Sequence, residues 1–474
     1  MWFADERRAS LSLVTTLTRT GPHSATQLRA APRSWPIRPA DIVIVLTVLG
    51  LLVAGMWVRH GGLEQLGAPE GLAIGLGQIT ALLGTYLALA QIVLMARVPW
   101  IDHVVGSDRL MAWHRWLGRG TVMLIVGHVI FTTLGWSMSS GAGVVREFLA
   151  MNETWDLLIA TVGLALLMAV ALTSMAAVRR RLAYETWYGL HIYAYLAIAL
   201  AFVHEITLGS DLADDPVALG FWVGLYVVTF GLLIWYRVLT PIRVSARHRL
   251  RVASVVHEAP DVVSIYLTGR DLYDLPVRAG QFFHVRFLRH GGWWRPHPFS
   301  ISAAPNGEYL RMTIKDLGDD THRMMTMPVG TPVFIEGPYG AFTAAMVTRP
   351  RVVMLAGGIG VTPLRAILED LPPGPGRTTL LYREGDASEV IFGRELAEIA
   401  ARTGADVRIL AGHRGTPRMP IDPLSPEQLR MLVPDIIAAD VLVCGSRSFT
   451  ECVLHSLDRL GVSSGQIHAE RFGY

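Results

Sequence analysis

Two pairs of histidines lie inside stretches that are otherwise apolar. Ala112–Phe131 (AWHRWLGRGTVMLIVGHVIF) carries His114 and His128; Thr186–Val203, with His204 at its end, carries His191 and His204. The first pair is fourteen residues apart, just short of four helical turns. Both imidazoles therefore leave nearly the same face, offset by about 40° and about 21 Å apart along the axis. That separation fits within a hydrocarbon core roughly 30 Å thick. The thirteen-residue spacing of the second pair turns His204 about 140° away from His191 on an ideal helix. The helix must then bend, carry a local irregularity, or serve centres displaced sideways. Two helices with two histidines each have the donors for two stacked metal centres, one toward each membrane face. Haem iron, which accepts an imidazole on each side, is the candidate. A histidine in a transmembrane helix also serves simply to bond a neighbouring helix or to line a polar cavity, and that reading stands beside the metal one.

The second half of the chain holds further motifs. Gly357-Gly358-Ile359-Gly360-Val361-Thr362-Pro363 follows an apolar strand and opens a helix. Glycines let a backbone approach a pyrophosphate, and a helix N-terminus favours its charge. Thr362 suits the cap and Pro363 the first helical position. Tight strand–helix packing explains such a turn nearly as well. In Arg295-Pro296-His297-Pro298-Phe299-Ser300-Ile301-Ser302 two prolines flank a histidine in an extended strand. Phe299 and Ser300 there offer a ring and a hydroxyl to a flat cofactor. Lys315-Asp316-Leu317-Gly318-Asp319-Asp320-Thr321 reads as a phosphate-binding turn into a helix, with its aspartates opposed unless backbone amides do the binding.

These residues need elements to position them. At 474 residues and 51% apolar content, the chain is too apolar for an ordinary soluble protein, and its length allows two or three domains. The uncharged run Ile42–Val58 and apolar stretches at Leu72–Met95, Leu110–Gly135, Trp155–Val178, Thr186–Val203 and Val217–Leu239 predict six membrane spans. Before them, residues 1–39 hold six arginines against Asp5 and Glu6 and read as a basic tail. Arg97, Arg109, Arg179–Arg181, Arg237 and Arg243 fall on one side of the six spans; Glu64, Glu70, Glu147, Glu153, Asp211, Asp214 and Asp215 fall on the other. Both termini are therefore expected in the cytoplasm. Within the third span, Arg115 and Arg119 are expected to snorkel or to meet a haem propionate. From Arg249 onward, short alternating segments predict a small antiparallel barrel. From Arg351 a strand, glycine turn and helix rhythm predicts a parallel α/β unit. The two cysteines, Cys444 and Cys452, are too few for a four-cysteine cluster.

The barrel and α/β unit together resemble the ferredoxin–NADP reductase superfamily. Its flavin motif matches His297-Pro298-Phe299-Ser300, its flavin-phosphate turn Gly318 to Thr321, and the end of its barrel Gly337-Pro338-Tyr339-Gly340. Its nicotinamide motif matches Gly357 to Pro363, with Cys444-Gly445-Ser446 as the late companion. Glu470-Arg471-Phe472-Gly473-Tyr474 resembles the terminal aromatic segment that covers the flavin ring. The histidine at 297, where many soluble members have arginine, resembles the membrane branch, the NADPH oxidase and ferric reductase group. There six helices hold two b-type haems, with histidines spaced as His114/His128 and His191/His204 are. The resemblance implies His114 with His191 on the inner haem and His128 with His204 on the outer one. One departure concerns Thr132, where oxidases of that group often carry a further histidine.

The resemblance thus implies a multidomain membrane protein. A basic tail (1–39) precedes a six-helix haem domain (40–240), an FAD-binding β-barrel (245–345) and a Rossmann-like NAD(P)H domain (350–474). It implies a flavocytochrome b of the plasma membrane that passes electrons from cytoplasmic NAD(P)H through FAD and two haems b to oxygen or a ferric chelate outside. Phe472 and Cys444 are the catalytic candidates. His297, Pro298, Phe299, Ser300, Gly318, Thr321, Gly357, Gly358, Gly360, Thr362, Pro363, Arg383 and Gly445 are the cofactor-binding ones. Arg383 ends a strand where such a fold receives the adenosine ribose, and its guanidinium suits a 2′-phosphate. Glu384 and Asp386 beside it speak for NADH, so NADPH is favoured only mildly. The expected partners are the bilayer and a small-molecule acceptor, with no nucleic acid and an open oligomeric state. Two alternatives remain: a haem-free, membrane-anchored reductase feeding a cytoplasmic partner, and a six-helix transporter or sensor regulated by its flavoprotein half.

Overall fold

The computed structural model describes residues 37–208, 215–288, 294–413 and 421–472. The basic tail, Asp211, Asp214, Gly473 and Tyr474 lie outside the described residues or, for the tail, almost wholly so. The chain forms two compact units, Trp35–Val238 and one that takes in Leu239–Tyr474.

The first unit is helical. Its long helices are α1 (Pro39–Arg59), α2 (Pro69–Met95), α3 (Ser107–Ser140), α4 (Trp155–Ser174), α5 (Tyr184–Leu208) and α6 (Pro216–Ile234). Among the described residues these six are long and apolar enough to cross a membrane, as the six apolar stretches predict. Proline in the first turn starts α1, α2 and α6, where its missing N–H costs nothing. The Asp215 side chain caps α6 by accepting from Val217 N. Large apolar side chains such as Leu51, Met123 and Val227 stand exposed, as lipid-facing positions of spanning helices do. α2 packs along α3 and α5 along α4, so the two histidine-bearing helices belong to different pairs. Small residues bring each pair close, since lipid supplies no hydrophobic drive between helices. A Cβ at Gly84 would meet Ile125 at 2.8 Å, and one at Gly163 would meet the Ala197 carbonyl at 3.0 Å. A π-helical turn, Trp235–Leu239, leads from α6 into α7 (Thr240–His248).

The second unit has two lobes. In the first lobe, β1 (Arg251–Ala259), β2 (Val262–Thr268) and β5 (Leu310–Lys315) form one antiparallel sheet in the order β1-β2-β5. β3 (Phe282–Phe287), β4 (His297–Ser300) and β6 (Val333–Tyr339) form another, in the order β4-β3-β6. The expected small antiparallel barrel is built of two three-stranded sheets, joined at their edges by single bridges at Arg251↔Pro332 and Ile301↔Met312. Alternate residues of β3, Phe283, Val285 and Phe287, point into the core between them with Ile265, Met312 and Ile335. A short helix, α8 (Asp319–Met324), follows β5.

In the second lobe five parallel strands run β11-β10-β7-β8-β9, with β7 at Val352–Gly357, β8 at Thr378–Glu384, β9 at Asp406–Ala411, β10 at Asp440–Ser446 and β11 at Ile467–Phe472. Helices α9 (Val361–Asp370), α10 (Gly393–Thr403), α11 (Pro426–Leu432) and α12 (Arg447–Arg459) connect them. Every residue of β8 is buried, as the interior strand of a sheet covered on both faces should be. The lobes share a core: Val262, Ala279 and Phe342 of the first pack with Val361, Leu364 and Cys444 of the second.

Candidate functional site

In the membrane unit the four histidines meet in two pairs. The ring centroids of His114 and His191 are 5.8 Å apart with their planes at 79°. Those of His128 and His204 are 6.3 Å apart and nearly parallel, at 26°. Metal–imidazole bonds of about 2.0–2.1 Å would place two rings on opposite sides of one ion roughly 6.4 Å apart. The residues present therefore fit one metal between each pair. Among the described residues no group of three or more His, Cys, Asp or Glu side chains gathers as a metal site. Paired imidazoles without a third protein ligand would suit haem iron, which a macrocycle also holds, better than zinc. α5 is helical throughout, so the thirteen-residue spacing requires no break. The Trp187 ring stacks on His191 with centroids 5.0 Å apart, and the Arg179 guanidinium lies over Trp187.

In the five-stranded sheet, the chain leaves β7 toward β8 on one side and returns to β10 on the other. Such a reversal opens a crevice at the carboxyl ends of the two central strands, where open α/β sheets bind ligands. Gly357, Gly358 and Gly360 lie at the end of β7, and Gly445 and Ser446 at the end of β10. Phe472 ends β11 in register with Ser446. The structure thus brings the glycine turn, the late Cys444-Gly445-Ser446 segment and the terminal aromatic to one edge. Gly358 has φ +56°, a left-handed conformation that favours glycine. Gly360 is also a packing residue, since a Cβ there would overlap the Cys444 carbonyl. α9 begins at Val361, and Thr362 Oγ1 donates back to the Ile359 carbonyl at 2.9 Å. Thr362 is therefore not the cap, and Pro363 occupies the third helical position rather than the first.

The flavin-type motifs meet around Asp320. His297, Pro298, Phe299 and Ser300 make up β4, with the His297 and Phe299 rings stacked at 6.1 Å and Ser300 buried. Arg295 Nη1 donates to Asp320 Oδ2 at 2.8 Å, Arg323 donates to Asp320 Oδ1 at 3.2 Å, and His297 Nε2 lies 3.9 Å away. The acidic residue that argued against a phosphate turn thus has two guanidinium partners. Thr321 Oγ1 accepts from the backbone N–H groups of Leu317 and Gly318, which holds the turn closed.

Residues 80–202 match the family described as a ferric reductase like transmembrane component, and residues 247–343 match an FAD-binding domain family. The chain pairs a ferric reductase-like membrane component with an FAD-binding domain. That layout is consistent with a protein of NADPH oxidase or ferric reductase type. The chain is 29% identical over 246 residues to a flavohemoprotein of Chromobacterium violaceum, a match covering 47% of this chain and 60% of the relative. It is 27% identical over 240 residues to an NADPH oxidoreductase of Mycobacterium tuberculosis, covering 48% of this chain and 58% of that one. The match therefore spans less than two thirds of these curated relatives. The flavohem-like FAD/NAD-binding domain of nitric oxide dioxygenase from Vibrio cholerae has 25% identity and a TM-score of 0.38, covering 48% of this chain and 100% of that one.

Two of the expected residues, Arg383 and Cys444, have other occupations. The Arg383 guanidinium is buried and donates to the carbonyls of Leu410 (3.0 Å), Glu384 and Gly412. It holds the ends of β8 and β9 together instead of standing open for a 2′-phosphate. Glu384 is the side chain that faces the glycine turn, its Oε2 3.9 Å from where a Gly358 Cβ would lie, and burial raises its carboxyl pKa. Cys444 is fully buried, and burial pushes its thiol well above the usual range, so the thiol itself is a core group rather than an acid or a nucleophile. Arg394 pairs with Glu398 on the exposed face of α10.

Sequence reasoning missed two features. One is the contact of His128 Nδ1 with the Gly77 carbonyl and Thr132 Oγ1, at 3.0 and 3.2 Å. The other is the ion cluster between the lobes. Arg311 on β5 donates to both oxygens of Glu395 on α10, at 2.8 and 3.0 Å. Arg365 on α9 joins Glu395 at 2.9 Å, and Glu369 accepts from Ala304 N at 2.9 Å. Local pattern announces neither the Gly77 contact nor the ion cluster, because those partners lie far apart in the chain; Thr132 is one helical turn from His128.

Proposed function

We propose that this protein is a transmembrane oxidoreductase that takes electrons from NAD(P)H in its reductase unit and delivers them across the membrane. The observation that carries the reading is the two imidazole pairs, stacked within two spanning helices of a chain that also has an FAD-binding domain. When bound, flavin converts the electron pair of a hydride into single electrons, and haem iron carries one at a time. His114 with His191 would hold the first haem, and His128 with His204 the second. The crevice at the ends of β7 and β10 would seat the nucleotide, its glycines admitting the pyrophosphate. Phe472, at the rim of that crevice, would lie where the nicotinamide approaches the flavin. β4 and the turn from Gly318 would hold the flavin and its phosphates, with Arg295 and Arg323 supplying positive charge. The arginines gathered on one side of the spans favour a plasma-membrane protein with both termini and the reductase unit in the cytoplasm. The acceptor we favour is a small molecule on the outer face, oxygen or a ferric chelate.

An absorption spectrum and pigment assay of the purified full-length chain test this reading. Two haems b and one flavin per chain, with the Soret band shifting on addition of NADPH, are expected. A flavoprotein without a Soret band would instead point to a haem-free reductase.

A further inference from the structure

We propose that Gly77 and Thr132 are positioning residues for the second haem: they fix the ring of His128 so that its Nε2 is free to bind iron opposite His204. This rests on the haem reading above. Nδ1 of His128 lies 3.0 Å from the Gly77 carbonyl oxygen. A carbonyl only accepts, so Nδ1 carries the hydrogen and Nε2 keeps its lone pair. Thr132 Oγ1, one turn further along α3, lies 3.2 Å from the same Nδ1 and accepts the other limb of the shared bond.

Gly77 makes that reach available. A Cβ at position 77 would overlap Thr132 Oγ1 and stand 3.0 Å from the Thr132 backbone nitrogen, driving α2 away from α3. The Thr80 hydroxyl donates chiefly to the Leu76 carbonyl at 2.6 Å and lies 3.0 Å from the Gly77 carbonyl. No other histidine of the four has comparable support. Nδ1 of His114 and Nδ1 of His204 are buried with no hydrogen-bond partner among the described residues, and Nδ1 of His191 meets a long contact, 3.4 Å, to Ser174 Oγ. The rings of His128 and His204 lie at 26°, those of His114 and His191 at 79°. A hydrogen bond from the far nitrogen orients a metal-bound imidazole and raises its basicity as a ligand. A more basic ligand favours oxidised iron, so removing the Thr132 hydroxyl raises the midpoint potential of one haem and leaves the other unmoved.

Thr132→Val keeps the shape and removes the hydroxyl; Thr132→Ser restores it. Redox titration of the full-length protein in detergent, followed at the Soret and α bands, resolves the two one-electron waves. We expect Thr132→Val to move one wave upward by roughly fivefold to tenfold in equilibrium constant, ~40–60 mV at ~59 mV per tenfold. Thr132→Ser should sit with the wild type. Loss of one haem by the valine variant and its retention by the serine variant also supports the role. Wild-type titrations from both variants, or loss of a haem from both, overturn it. Thr132→Ala serves as a second hydroxyl-free variant where valine does not assemble. A wild-type protein without a Soret band overturns the haem reading itself, before any variant is compared.

Discussion

Arg383 shows how a single side chain can look available in sequence and be engaged in the fold. Its donors satisfy the carbonyls of Glu384, Leu410 and Gly412, and buried carbonyls left without partners cost about 1–3 kcal/mol. Arg383→Ala should therefore lower the melting temperature of the reductase unit and change KM for NADPH and NADH alike. A selective rise in KM for NADPH would instead restore the 2′-phosphate role. Arg295 is the contrasting case, because it ends on a carboxylate beside the expected flavin-phosphate turn. Arg295→Met should weaken FAD retention by about tenfold or more, the worth of a charge-assisted hydrogen bond. Equilibrium dialysis against FAD reads this, and FAD binding equal to that of the wild type would remove Arg295 from the flavin site.

At the scale of elements, α3 and α5 decide the haem reading and β11 the nicotinamide one. The N-terminal histidines of the two helices pair with each other, and so do the C-terminal ones. His114→Ala or His191→Ala should lose one haem and stop electron transfer across the membrane while NADPH still reduces the flavin. His128→Ala or His204→Ala should lose the other haem and keep the first. If all four variants retain two haems by pyridine haemochrome assay, the ligand assignment is wrong. On β11, Phe472 is partly buried against the shared core, and β11 pairs with β10 as a regular parallel strand. Those contacts anchor the strand whether or not the ring also gates the nicotinamide. Phe472→Ala should alter the rate of flavin reduction in stopped flow with both haems retained; an unaltered rate leaves only the anchoring role. The final Tyr474 of the expected aromatic segment lies outside the described residues.

Across the whole molecule, the arrangement of the reductase lobes depends on charges brought from three separate segments, β5, α9 and α10. Burial alone would raise the Glu395 carboxyl, but Arg311 and Arg365 hold it below the usual carboxylate range. Its stabilisation is thus full above that range and is lost as pH falls through the lowered folded value. Glu395→Ala leaves the guanidinium of Arg311, 3% exposed, without its bidentate partner. Breaking a buried pair costs about 3–5 kcal/mol, and the low end applies here because Glu395 is about a third exposed. The variant should melt earlier and show less acid sensitivity than the wild type; an unchanged melting temperature at neutral pH would count against an interlobe lock. The sequence alone determined the six spans, because a helix that crosses lipid must be written as a long apolar run. It also determined the succession of alternating strands and βα units, which depends on local periodicity, and it exposed four histidines where polar groups are costly. Tertiary structure decided which histidine faces which, that Arg383 is spent on backbone carbonyls, and that Gly77 lends its carbonyl to His128. Those outcomes depend on how closely two helices approach and on which distant partners arrive first at a buried donor, and neither quantity is written in local sequence.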